Sequence, residues 1–122
     1  MDNRQELKRT YLERKKPAGV FQVKNLVSGK VLLGSSLNLE GPLNAHRFTL
    51  QTGTHRNEEL QRDYDALGAD AFVFEILEEV KQRDDERFNL EEELAFLEEL
   101  WSEKIDPFDG RGYNRDRKIR QA

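Results

Sequence analysis

The chain has 122 residues, 36% of them charged and 36% hydrophobic, with a mean hydropathy of −0.87. That length suits one domain able to bury roughly two-thirds of the surface of its unfolded form. With no cysteine, disulfides and thiolate metal sites are excluded. No apolar run approaches the ~20 residues that span a bilayer, and Met1-Asp2-Asn3-Arg4 does not open a signal peptide. A cytoplasmic protein without a membrane segment is expected. The net charge is −4 and the isoelectric point about 5.3, a balance that argues mildly against tight nucleic-acid binding. The distribution is uneven. Lys8, Arg9, Arg14, Lys15 and Lys16 cluster near the start, and Arg115, Arg117, Lys118 and Arg120 in the tail. Acidic residues crowd 84–106, a run that reads first as a solvated helix face.

In chain order, residues 3–16 read as a helix with Leu7, Tyr11 and Leu12 on one side, stopped by Pro17. The stretch GVFQVKNLVSGKVLLG, 19–34, alternates as two strands around Ser28-Gly29, which offers the positive φ that a short hairpin turn needs. Pro42 suits the first turn of a helix over about 42–51, with Gly53 as its terminator. A second helix is expected over about 57–67, with Leu60, Tyr64 and Leu67 at helical spacing and Gly68 as its cap. AFVFEILEE, 71–79, is a third strand rich in β-branched and aromatic residues. Asn89 with Glu92 resembles a capping box opening an amphipathic helix to about Lys104. Its stripe is Leu90, Leu94, Leu97 and Trp101, flanked by Phe96 and Leu100.

This order, α-ββ-α-α-β-α, predicts an α+β fold: a small three-stranded mixed sheet containing an antiparallel hairpin, flanked by helices. The expected division is an N-terminal helix over 1–17, a domain over 18–114 and a basic tail over 115–122.

The triplets GVF (19–21) and LLG (32–34) lie on the two hairpin strands. They are followed by GSS, a helix carrying His46, GTH ending at His55, ELQRDYDALG, FVFEILEE, LEELW and GYN. In order and spacing this series resembles the GIY-YIG nuclease superfamily over about 19–114. The resemblance implies a phosphodiesterase site. Two tyrosines from the triplets and an arginine on the next helix would act on the scissile phosphate, and a glutamate on a later helix would hold a divalent metal, Mg²⁺ or Mn²⁺. Such chemistry needs an activated water, charge on the developing oxyanion and a hard cation.

Carried over residue by residue, the first tyrosine position is Phe21, the second is Leu32, and the arginine position is Pro42, with Gly41 where a neighbouring basic residue is often found. His46, His55, Glu98 and Asn114 keep polar groups. Glu98 stands three residues before Trp101, as in the family's Glu-x-x-Trp pattern, and is the metal-ligand candidate. His46 could bond a phosphate, stack with Phe48 or be a structural histidine. His55 could act in catalysis or bond at a helix entry, and Glu98 could be a solvated surface residue. Asn114 is expected to tie the C-terminal segment to the sheet, with the Tyr113 hydroxyl on a backbone partner. The expectation is a domain inactive as a nuclease that binds nucleic acid, through its basic termini, or a protein partner. The alternative is a metal-dependent endonuclease using His46, His55 and Glu98, since a His/His/Glu set can ligate a transition metal. Nothing in the sequence sets an oligomeric state.

Overall fold

A computed structural model of the chain describes residues 16–115. The helix expected over 3–16, apart from Lys16, and the tail beyond Arg115 lie outside these residues. The elements are β1 (Gly19–Asn25), β2 (Val31–Ser36), α1 (Glu40–Thr52), α2 (Glu58–Leu67), a 3-10 turn (Ala69–Ala71), β3 (Phe72–Glu79) and α3 (Leu90–Ile105). Among the described residues no helix is long and apolar enough to cross a membrane.

The sheet order is β2-β1-β3. Both pairings of β1 are antiparallel, so the sheet is not mixed as the sequence suggested. β2 and β3 run in the same direction, but β1 lies between them and no parallel ladder forms. The connection through α1 and α2 carries the chain from one edge of the sheet to the other.

As the middle strand, β1 is covered on both faces. On one face Val20, Val31 and Leu33 form a cluster with Leu77, Leu97, Trp101 and Ile105. The apolar stripe of α3 thus meets the sheet as expected, while Phe96 and Leu100 stay exposed. On the other face Phe21 packs with Leu39 and Leu43, and Val23 with Leu50, Leu60, Phe72 and Tyr113. Alternation along β1 sends Val20 to α3 and Phe21 to α1.

Local chemistry sets the helix ends. Pro42 is the third residue of α1, where a backbone N–H has no intrahelical partner to lose. Gly53 closes that helix at φ 76°. Asn57 Oδ1 accepts the Leu60 N–H at 3.0 Å, and Asn89 Oδ1 accepts the Glu92 N–H at 3.2 Å, each satisfying a donor of the first turn.

The C-terminal segment straps the free edge of β2. The Tyr113 N–H donates to the Val31 carbonyl at 2.9 Å. Asn114 accepts the Leu33 N–H at 2.7 Å and donates to the Leu33 carbonyl at 2.8 Å, so its side-chain amide stands in for a backbone unit. An edge that would otherwise expose ladder groups is covered. The Tyr113 hydroxyl finds side chains rather than the backbone partner expected for it: it donates to Asp63 Oδ2 at 2.7 Å and accepts from Asn25 Nδ2 at 3.0 Å. Burial pushes this phenol up to about 12, so it remains a donor at any ordinary pH. Asn25 Oδ1 meanwhile accepts the Val27 and Ser28 N–H groups of the hairpin turn at 2.9 and 3.2 Å.

Gly34 faces Phe21 across the ladder, and a Cβ on it would lie 2.8 Å from the Phe21 ring carbon Cε1. The aromatic ring occupies the space that the glycine leaves. Gly34→Ala should therefore cost roughly 1–3 kcal/mol of overpacking in urea unfolding, and much less in a Phe21→Ala background. Equal costs in the two backgrounds would show that the ring does not need the glycine.

Candidate functional site

α1 presents Pro42, His46 and Thr49 on one side, as residues at i, i+4 and i+7 must be. His55 follows the Gly53 turn and reaches back to them. His46 Nδ1 and His55 Nε2 lie 2.8 Å apart, and the rings stack with centroids 5.0 Å apart. The other side of the His46 ring meets Phe21, at a centroid distance of 5.5 Å. Phe48, which the sequence offered as a stacking partner, is 65% exposed; two residues along a helix is more than half a turn, so it points away.

The backbone decides where the protons sit. The Asn57 N–H donates to His55 Nδ1 at 2.9 Å, so that nitrogen supplies a lone pair and the proton of neutral His55 is on Nε2. This Nε2–H donates to His46 Nδ1, which places the His46 proton on its own Nε2. Among the described residues the His46 Nε2–H has no hydrogen-bond acceptor. Burial, then the neighbouring His55, lowers the His46 pKa to about 4, and burial lowers that of His55. Both rings are neutral at physiological pH.

Two clefts meet at this pair, both lined by His46, His55 and Arg56. One also has Pro42, Ala45 and Thr49 in its wall, the other Leu32, Asn114 and Arg115. Phe21, 3% exposed, lies beneath them in the core. Phe21, Leu32 and Pro42, the positions onto which the resemblance carries two tyrosines and an arginine, thus all lie close to the histidine pair. The Asn114 side chain is spent on the Leu33 backbone. Arg56 and Arg115 were not singled out for the site from the sequence. Arg56 lies next to His55, but only the fold brings Arg115 to the same wall.

Glu98 is placed differently. It accepts a hydrogen bond from Ser35 Oγ, and Ser35 alternates with Leu33 on the face of the sheet that α3 covers. The histidines lie on the α1 face. Among the described residues no group of three or more His, Cys, Asp or Glu is placed to hold a metal ion. The expected His46, His55 and Glu98 set therefore does not converge. The hydrogen-bond chain explains why the rings are poor ligands: the lone pairs of His55 Nδ1 and His46 Nδ1 are engaged, and the remaining nitrogens carry protons.

No protein-family model matches the chain. Over 97 residues, 80% of this chain, it is 34% identical to the intron-associated endonuclease 1 of Enterobacteria phage T4, of whose length it spans 36%. Among solved structures it is similar to the catalytic domain of the homing endonuclease I-TevI, at 28% identity and a TM-score of 0.62, over 80% of this chain and 96% of that one. A point-mutant form of the same domain matches at 26% identity and a TM-score of 0.62, over 80% of this chain and 92% of that one. The chain is homologous to this GIY-YIG catalytic domain and shares its α+β fold.

Two outcomes follow from the neutral pair. Nitrogen-15 spectra at pH 7 should show both rings as the Nε2–H tautomer, and an Nδ1–H signal from either would break the chain of donors. Because the folded pKa values lie below the unfolded value of about 6.5, the pair's contribution is present above that pH and lost as pH falls toward about 4. The urea midpoint should drop over that interval, and His46→Gln should remove part of the drop. Identical pH slopes for the two proteins would contradict the assignment.

Proposed function

We propose that this homologue of the I-TevI catalytic domain binds the phosphodiester backbone of a nucleic acid at the His46–His55 cleft and leaves it uncut. The observation that supports this reading best is the conjunction of apolar residues at Phe21, Leu32 and Pro42 with an intact, neutral donor at His46. Cleavage needs a group that deprotonates or positions water, and charge on the oxyanion. Phe21 is packed against Leu39 and Leu43, Leu32 has no proton to move, and Pro42 carries no charge. Losing a single oxyanion donor costs about 2.7–4 kcal/mol, or 10²–10³ in rate. Losses within one catalytic unit do not add, but one suffices to cripple the reaction.

His46 is not a substitute base in this arrangement, since its lone pair faces His55 and its other nitrogen holds the proton. It is suited to donate to an anionic oxygen, as a neutral imidazole can. A divalent cation held by the Glu98 carboxylate would lie on the α3 side of the sheet, away from the histidine cleft. It would not replace the missing hydroxyls. The net charge of −4 does not oppose the reading, because a polyanion responds to local charge. The acidic run belongs to α3 and the segment before it, whereas Arg56 and Arg115 line the cleft.

Gel shifts with single- and double-stranded DNA and RNA should show a complex that weakens steeply between about 50 mM and 200 mM salt. With Mg²⁺ or Mn²⁺, plasmid nicking and oligonucleotide cleavage should not exceed those of Glu98→Ala. Metal-dependent cleavage abolished by Glu98→Ala would overturn the inactive reading, and no shift with any nucleic acid would move the function to a protein partner.

A further inference from the structure

We infer that Arg56 supplies, from the loop before α2, the phosphate-contacting cation that Pro42 cannot supply from α1. The inference deepens the reading above and rests on it for the identity of the polymer. Pro42 and Arg56 line the same cleft, together with His46. Arg56 also lines the adjoining cleft beside Leu32, where Arg115 joins it. A guanidinium on this wall shares the cleft with Pro42, and a phosphodiester in the cleft would meet it together with the His46 Nε2–H.

Three features set Arg56 apart from an ordinary surface arginine. Its backbone is held on both sides. The His55 N–H donates to Gln61 Oε1 at 3.0 Å, and Asn57 Nδ2 donates to the Tyr113 carbonyl at 2.6 Å. The loop is therefore pinned to α2 and to the C-terminal strap, so little backbone ordering remains to be done on binding. Its charge is uncommitted: among the described residues Arg56 takes no part in the ion pairs Lys30–Glu59 and Arg111–Asp106. Arg47, the other arginine near the histidines in sequence, lies over the Phe74 ring at 5.0 Å. Finally, the adjacent histidine pair is neutral, so Arg56 suffers no repulsion from it and an anion gains a donor without a second fixed charge. The planar fork of arginine can give one phosphate two hydrogen bonds, which lysine cannot reproduce.

The test compares the whole chain with Arg56→Ala, Arg56→Lys and Arg47→Ala. For duplex DNA, Arg56→Ala should weaken binding roughly 10-fold or more and lower the slope of log K against log salt by about 0.9, the loss of one phosphate contact. Arg56→Lys should keep the slope and recover part of the affinity, and Arg47→Ala should change neither. A second probe, the dinucleoside monophosphate thymidylyl-thymidine, is titrated with observation of the His46 and Arg56 side-chain nitrogens; both should shift, and only in proteins that retain a cation at 56. Nucleic-acid binding with an unchanged slope in Arg56→Ala would overturn the role of Arg56 while leaving the binding function standing. Failure of the wild type to bind any polymer, with thymidylyl-thymidine still shifting both side chains, would overturn the polymer reading and keep the phosphate site. Absence of both shifts in the wild type would overturn the site.

Discussion

The contact on which the site depends is the Phe21 ring lying across Gly34. Because β1 is the middle strand, each of its side chains must fit a neighbour on both sides, and Phe21 pairs with Gly34 on one and Ile76 on the other. A glycine opposite an aromatic residue lets the ring lie down over the ladder instead of standing off it. From there the ring supports Leu39 and Leu43 at the start of α1 and the flat side of His46. The position of His46 then sets that of His55, and the Asn57 N–H sets the protons of both. A packing choice in the hairpin is thereby carried, contact by contact, to the protonation state of the cleft.

The same contact bears on the chemistry of the cleft. A phenol at position 21 would keep the ring in place and add a hydroxyl at its rim; phenylalanine supplies the ring alone. Leu32 and Pro42 act likewise, one packed against the Val23 cluster and the other fitting the first turn of α1. Each of the three residues serves the fold at its own position. The result is a cleft lined by the stacked histidine pair and by Arg56 and Arg115.

Much of this was legible in the chain because the signals were local. Pro42, Gly53, Gly68 and the two capping asparagines act within a turn of where they stand, so helix ends could be placed to within about two residues. The motif series keeps its order, which is what sets Phe21, Leu32 and Pro42 against the triplet and helix positions of the resemblance. What was not legible depends on contacts between distant segments. The direction of β3 follows from how α1 and α2 cross the sheet, and no residue within 71–79 encodes it. Tyr113 reaches Asp63 and Asn25, separated from it by 50 and 88 positions. His46 and His55 have an ordinary histidine composition until the turn at Gly53 folds one against the other. Glu98 could be matched to its motif, but the face of the sheet that it occupies depends on the packing of α3.

The central claim is that the cleft holds a phosphate with protein donors and cations rather than through a metal bridge. The most direct measurement is the affinity for a labelled duplex at constant ionic strength, in EDTA and in Mg²⁺, for the wild type and Glu98→Ala. Affinity in EDTA equal to or greater than that in Mg²⁺, with Glu98→Ala indistinguishable from the wild type, is the expected result. Binding that collapses in EDTA and is lost in Glu98→Ala would mean that a cation on Glu98 makes the contact, and would contradict the claim.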